Sequence, residues 1–359
     1  MNNFGGAIDH TIKHFALHRI GGLEWRIISD IESGVIAITE VEEEVLTRFV
    51  ALPQWPHSVV SFFVLQDLGA LQRQLEARLQ RSDGSAAIEH SALPAGGIAA
   101  LAHRPVVNLY DLADPQTCNV FVNQMAMKEA GYWGDRLAEA ALLAHEHAHP
   151  LVENATISAT RRTALHLKAG SRVPVSRSNT DVWMERIGGI ITNLAERLCL
   201  YAPREVFTND LVIRAGFSDA LCYLDRITIE RSLQAIQGRQ ALAAGLRAEP
   251  ALTDAGRLIL MLLADFQAHL EMSFELASFR RERAESCVRE LDALLRKRLF
   301  PVLAPAVGQA FSSLSKRYVQ LTPNLTGDQF VRFAQSILAI LAEVLAASGI
   351  TLDGSPSVI

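Results

Sequence analysis

The chain contains few cysteines, and none of them lie close together in the sequence. Only four of its 359 residues are cysteine, Cys118, Cys199, Cys222 and Cys287, and no Cys-x-x-Cys pair occurs. Zinc ribbons and thiol–disulfide oxidoreductases depend on such closely spaced pairs, so the sequence excludes both classes of protein. The wide separation predicts four reduced, buried thiols.

Strong charge of one sign and long apolar runs are also missing. The formal net charge is -5, which gives no broad cationic field for binding nucleic acid or an anionic membrane. The most apolar window, residues 258–264, is far shorter than the ~20 residues that a membrane span needs. Residues 1–26 have no uninterrupted apolar region of the kind found in signal peptides. We therefore expect a cytoplasmic protein with neither a nucleic-acid partner nor a membrane partner, and the sequence leaves its oligomeric state open.

The composition is that of a packed globular protein, with 49% hydrophobic and 20% charged residues. Residues 1–134 mix helical and strand patterns with many turn residues, which predicts an N-terminal α+β region with a short sheet. Within it, residues 105–110 and 118–122 have the composition of two strands separated by a turn. Beyond this region the patterns become helical, so we divide the chain into residues 1–134, a metal-binding helical region 135–204 and a helical C-terminal region 205–359.

Four helices are predicted from the spacing of apolar residues and from end signals. Asp135 has the side chain of an N-cap, and the apolar spacing after it continues to His149. The other helices are predicted at residues 181–201, at residues 253–298 as one long helix, and at residues 328–347, where Gly349 ends the helix. Residues 351–359 are expected to be frayed.

The strongest signal for chemistry is His145-Glu146-His147-Ala148-His149. Histidines four residues apart lie on successive turns of one helix face, so both imidazoles can bind a single ion, most plausibly zinc. Glu146 follows His145 directly, which places its carboxylate beside the ion, where it can take a proton from an activated water. His147 is expected to point away from the other two, toward solvent or behind the ligands. The alternative is that all three are ordinary polar residues on a helix surface.

This motif resembles the active-site helix of the zincin metallopeptidases, and within them the gluzincins, in which a later helix supplies a glutamate. The resemblance covers residues 135–149 and extends more weakly to residues 181–201. It implies a zincin-like metal domain in which His145 and His149 bind zinc and Glu146 is the catalytic base. No His-x-x-Gly-x-x-His continuation is present, so the metzincin branch does not fit. Pro150 is a departure, since a proline disfavours helical geometry in the residue before it and predicts that the helix ends at His149.

For the third ligand, Glu196 is the first candidate and Glu185 the second. Both lie on the polar stripe of the helix 181–201, where Gly188 and Gly189 would let another helix approach closely. The same stripe also fits an ordinary solvated face. Glu153 and His166 are the remaining candidates for the third ligand. Tyr201, Tyr223 and His166 are candidates for stabilising an oxyanion, and the sequence does not choose among them.

A second group of histidines, His10, His14 and His18, is also spaced by four residues. Three successive turns of a straight helix diverge too far to bind one ion, so we expect a polar helix face.

The function predicted from these features is that of a zinc-dependent hydrolase of peptides or small amides, in which Glu146 is the general base. Two histidines and a carboxylate also suit Fe²⁺, so a non-haem iron oxygenase is an alternative. A non-catalytic interaction protein, in which the helical region beyond residue 205 carries the function, is a further one.

Overall fold

A computed structural model describes residues 12–81, 98–110, 114–234 and 236–358. The chain forms two compact units. The first comprises the residues up to Leu151 together with Arg214–Leu221, and the second comprises Val152–Ile213 and Cys222–Ile359. These limits differ from the predicted boundaries at residues 134 and 204, because the helix that carries the histidine motif packs within the first unit.

The first unit is built on a five-stranded mixed sheet. Its strands are β1 (His14–Ile20), β2 (Leu23–Ser29), β3 (Val59–Leu65), β4 (Val106–Tyr110) and β5 (Thr117–Asn123). Their order across the sheet is β1-β2-β3-β5-β4. The three central strands β2, β3 and β5 are parallel, whereas the edge strands β1 and β4 are each antiparallel to their neighbour.

Helices of the first unit pack against this sheet. They are α1 (Val35–Val50), α2 (Gly69–Arg81), α3 (Gln124–Glu129) and α4 (Arg136–Ala148). On one face, side chains from β3, β4, β5 and α2 form an apolar core in which the rings of Phe63 and Phe121 stack at 4.5 Å. Helix α1 packs on α4 and also contacts β2, and α4 contacts β4. The edge strand β4 therefore lies directly beside the helix that carries the histidine motif.

The α+β class is confirmed, and so are the two strands predicted around residues 105–122, but the polar helix face predicted for His14 and His18 is wrong. These two residues belong to β1, which pairs with β2 along its whole length. The Gly21-Gly22 dipeptide between the two strands, with φ +60° at Gly21, forms the kind of two-residue hairpin turn that glycines favour. His10 lies outside the described residues.

From residue 152 the chain is mainly helical. Its helices are α5 (Ala155–Arg161), α6 (Thr180–Glu196), α7 (Ala202–Val212), α8 (Ser218–Gln234), α9 (Ile236–Ala248), α10 (Asp254–Ala268), α11 (Glu275–Arg281), α12 (Glu285–Leu294), α13 (Pro305–Val319) and α14 (Gly327–Ala347). A π-helical turn, Arg197–Tyr201, joins α6 to α7, and another, Leu295–Leu299, follows α12. The predicted helix 181–201 thus matches α6 and the turn after it.

The single long helix predicted at residues 253–298 is wrong. Thr253 does cap α10, because its hydroxyl accepts a hydrogen bond from the N–H of Gly256. The chain then turns through Leu270–Ser273 into α11, and Arg283, with a left-handed φ of +59°, separates α11 from α12. The breaks let the short, largely buried α11 pack against both α7 and α13. Apolar spacing alone does not reveal such turns, since each short helix continues a similar pattern.

The frayed tail predicted for residues 351–359 is also wrong over its described part. Residues Ile350–Val358 form strand β7, which pairs antiparallel with β6 (Thr163–Ser171) over nine residue pairs and packs on α14. The two paired strands are almost 190 residues apart in the sequence, so no local pattern predicts this pairing.

Among the described residues, α14 is the helix whose length and apolar composition would allow it to cross a membrane, with a mean hydropathy of 1.7 over its most apolar window. It has a capping box at Thr326 and Gln329, and Gly349, with φ +83°, follows its end as predicted. Its buried side chains recur at helical spacing along one stripe, from Phe330 to Leu345, which is typical of a helix that packs on a core.

Candidate metal centre

The start of α4 is fixed by hydrogen bonds at its N-terminus. The side chain of Asp135 accepts from the N–H groups of Leu137 and Ala138, which confirms the predicted N-cap. Glu139 in the first turn accepts from the N–H of Gly134 at 2.8 Å, and burial raises the pKa of its carboxyl group. These contacts set where the helix begins and hence which face each later residue occupies.

The end of α4 keeps its two outer histidines on one side. His149 retains helical backbone angles, φ −51° and ψ −48°, and its N–H donates to the carbonyl of His145. A 3-10 turn, His149–Leu151, follows, so the regular helix ends where Pro150 predicts. The imidazole rings of His145 and His149 lie edge to face with centroids 4.7 Å apart, and both residues are partly exposed. The helix therefore holds the two rings together on one partly exposed side.

Glu146 is bound to the edge strand of the sheet. Its Oε2 accepts a hydrogen bond from the backbone N–H of Asn108 in β4 at 3.0 Å. The side-chain amide of Asn108 donates to the backbone carbonyl of Glu146, also at 3.0 Å. Asn108 is 2% exposed, and its two hydrogen bonds hold both the side chain and the backbone carbonyl of Glu146. The carboxylate is thereby held in one orientation between α4 and β4.

The middle histidine has a different environment from the one predicted. His147 is fully buried, and its Nε2 lies 2.7 Å from Oε1 of Glu42 on α1, which is also fully buried. Helix α4 buries the face formed by Ala140, Ala144, His147 and Ala148 against α1, and this rotates His147 into the core. Of the two environments predicted for His147, solvent is therefore wrong, and a position behind the other two histidines stays a prediction.

Electrostatics account for the charge on this buried pair. Burial alone lowers the pKa of His147, but the negative charge of Glu42 outweighs it and raises the pKa to about 10, so the pair is ionic at neutral pH. The thiol of Cys118 lies beside His147 and donates to Oδ1 of Asn108 at 3.4 Å. Asn108 in turn binds Glu146. The core ion pair and the carboxylate of the motif thus belong to one connected polar network.

Another histidine, His57, is also buried and lies near His147. Its Nδ1 is 2.6 Å from the carbonyl of Pro115, and its ring packs against Trp55. Burial lowers the pKa of His57 to about 4, with a smaller contribution from the nearby charge of His147. His57 is therefore neutral in the folded protein at neutral pH.

Two side chains of the motif, His145 and His149, are placed as metal ligands would be. Their rings lie edge to face on one partly exposed side of α4. Two imidazoles are part of the donor set of an open catalytic zinc site, and these residues fit such an ion.

Glu196 and Glu185, the first two candidates for the third ligand, are both exposed on α6. The close helix approach predicted at Gly188 and Gly189 is wrong, because a Cβ added to either glycine would meet no atom within 4 Å. A ligand role for either glutamate stays a prediction.

The other candidates make contacts of their own. Glu153 forms ion pairs with Arg161 and Arg204. His166 lies on β6, with its Nε2 3.1 Å from the hydroxyl of Ser357. Tyr201 lies in the π-helical turn before α7, and Tyr223 lies on α8 under the guanidinium of Arg226. An oxyanion role for any of them stays a prediction.

Comparison of the chain with known protein families, with characterised proteins and with solved structures gave no match.

Proposed function

We propose that this protein is a zinc-dependent hydrolase that cleaves peptide or small amide bonds. The observation that carries the proposal is the geometry of α4. His145 and His149 present their rings 4.7 Å apart on a partly exposed side of the helix, and Asn108 holds the carboxylate of Glu146 on the same helix. A carboxylate would complete the usual donor set.

The chain's own residues have distinct roles in this reaction. A divalent ion held by His145 and His149 would polarise an amide carbonyl and make water more acidic. Glu146 then takes the proton of the attacking water and passes it to the leaving amine. The N–H of Asn108 keeps the carboxylate oriented between these two proton transfers. The buried pair of His147 and Glu42 anchors the helix behind them.

The substrate class comes from the resemblance of the motif to the zincin metallopeptidases. The edge strand β4 contributes to positioning the base, because all five of its residues are buried and the N–H of Asn108 already donates to Glu146.

The first experiment measures metal in protein purified without an affinity tag. We expect about one zinc per chain in the wild type, and loss of most of it in His145→Ala and His149→Ala, because each change leaves an incomplete ligand set. His103→Ala is the matched control, since His103 is exposed and lies outside the motif. Undiminished metal in both motif variants would overturn the site, and stoichiometric iron without zinc would favour the oxygenase instead.

The second experiment isolates the base. Glu146→Gln keeps the shape of the side chain but removes its basicity, so the variant should retain its metal while hydrolysis of a mixed peptide library falls by ~10²-fold or more. Cleavage products are followed by mass spectrometry, with chelator-treated wild type as the control. Equal cleavage by wild type and Glu146→Gln would contradict the mechanism even if the metal is present. Metal binding without any cleavage by the wild type would withdraw the peptidase activity.

A further inference from the structure

A cavity in the second unit has no place in the proposed hydrolysis. It has a volume of about 150 Å³ and lies among α11, α12, α13 and the π-helical turn Leu295–Leu299. A space of this size has room for about five water molecules or for one ring-sized group. The cavity can therefore accept a small ligand but no polymer.

The polar lining of the cavity carries excess positive charge. Three basic side chains, Arg280, Arg296 and Lys316, line it together with a single carboxylate, Asp292. Asp292 is shared, since it accepts from Arg280 at 3.2 Å and from Arg296 at 2.7 Å. One carboxylate cannot neutralise three cations, so the lining favours an anion.

Arg280 is held in position for this role. One of its terminal nitrogens donates to the buried hydroxyl of Ser315 at 3.0 Å, and the other donates to Asp292. A guanidinium has five donors, and these two contacts fix its plane while they use only part of its capacity. A carboxylate fits the fork of such a fixed guanidinium better than a spherical ion does.

The remaining walls are apolar. Met272, Leu276 and Leu295 are buried side chains of the lining, and the rings of Phe300 and Phe311 lie with their centroids 6.5 Å apart at its edge. A bare inorganic ion would leave these surfaces in contact with water. An acid with an aromatic or branched aliphatic body would cover them and gain the energy of apolar burial.

We propose that this cavity binds a small organic carboxylate with an apolar body, with its charged end on Arg280, Arg296 and Lys316 and its body against Phe300 and Phe311. The site is separate from the histidine motif and does not depend on the proposed hydrolase activity.

The test uses the full-length protein and 4-fluorobenzoate as the probe, followed by fluorine NMR. We expect saturable binding at millimolar concentration, and displacement by benzoate. The uncharged 4-fluorobenzamide should bind much more weakly. Arg296→Gln and Lys316→Gln should each weaken 4-fluorobenzoate binding by about three- to fivefold, the scale of one partly exposed cation.

Matched controls lie next to both residues. Arg298→Gln and Arg317→Gln remove the same charge from exposed positions that do not line the cavity, and they should leave binding unchanged. Equal weakening by the control variants would mean that the probe responds only to net charge and would overturn the site. Equal binding of the uncharged amide, or no saturable binding of 4-fluorobenzoate, would overturn it as well. Displacement by phosphate as effective as by benzoate would overturn the requirement for an apolar body.

Discussion

The two faces of α4 use the same residue type for opposite purposes. On the partly exposed face, His145 and His149 hold their rings together. On the buried face, His147 is fully enclosed and paired with Glu42 at 2.7 Å. A difference of two residues along the helix, about 200° around its axis, separates the two environments.

This difference shows how a site that must admit a ligand can still be rigid. Partly exposed histidines lose few apolar contacts when they bind an ion, but they also contribute little to holding the helix in place. The buried ion pair cannot bind a ligand, but it holds the helix in place. Removing either partner would leave an uncompensated charge in the core. Asn108 joins the two faces through Cys118 and Glu146.

The largest effect on stability is expected from breaking the buried pair. Glu42→Gln leaves His147 without its counter-charge, so the free energy of unfolding should fall by about 3–5 kcal/mol. Urea unfolding measures it, and Glu40→Gln, an exposed change on the same helix, should cost less than about 0.5 kcal/mol. A double change of Glu42 and His147 to methionine should recover most of the loss, because it removes both charges. A loss below about 1 kcal/mol in Glu42→Gln would show that the two faces do not differ as described.

Stability should also depend on pH through His57. The pKa of His57 is lowered to about 4 from an ordinary value near 6.5, so between these values the unfolded chain binds more protons than the folded one. The free energy of unfolding therefore has its full value above pH 6.5. It falls by on the order of 3 kcal/mol as the pH drops toward 4. His147, with its raised pKa, is protonated in both states below this window and changes stability only as the pH rises toward 10.

The pH effect has a direct control. His57→Gln should flatten the dependence of unfolding free energy on pH between 4 and 6.5, whereas His18→Gln, on the exposed β1, should leave it unchanged. An unaltered slope in His57→Gln would assign the acid sensitivity to other groups.

The ligand-facing side of the comparison is sharpened by two histidines. His149→Gln should lower zinc affinity by at least about tenfold, because a neutral amide is a much poorer ligand than an imidazole. His103→Gln, at an exposed position outside the motif, should leave affinity unchanged. Competition with a chromogenic zinc chelator measures both. Equal affinity in the wild type and His149→Gln would remove His149 from the ligand set.

The smallest expected effect concerns the start of α4. Asp135→Ala removes the acceptor for two N–H groups and should lower the free energy of unfolding by about 1 kcal/mol, measured by urea unfolding. Zinc affinity should stay unchanged, because the direction of the histidine side chains depends on the whole helix and not on its first turn alone. Asp181→Ala, at the first turn of α6 where no side chain caps the helix, should cost only a few tenths of a kcal/mol. A drop in zinc affinity in Asp135→Ala would show that the two faces are coupled through the helix start.

The sequence predicts the elements whose determinants are local. The cap at Asp135, the strands around residues 105–122 and the last helix all depend on neighbouring residues, and the structure confirms them. The pairing of β7 with β6, the breaks within residues 253–298 and the burial of His147 depend on partners far away in the sequence. For His147 the deciding residue is Glu42, which is 105 positions earlier, and no property of the motif itself indicates it.

The third ligand shows why the candidate site was only partly predictable. Helical spacing placed Glu196 and Glu185 on a polar stripe and treated that stripe as the ligand side. A solvated face and a ligand face have the same composition, so the spacing could not separate them.

The π-helical turn Arg197–Tyr201 has a consequence for how this chain tolerates changes of length. Such a turn holds one residue more than an α-helical turn, so the extra residue does not rotate the helix beyond it. Each residue of α7 therefore points as though it stood one position nearer to α6, about 100° from the direction that a plain α-helix of the same length would give it. Deleting one residue within the turn should leave α7 in place, as a plain α-helix. Inserting one residue should turn α7 by about 100°.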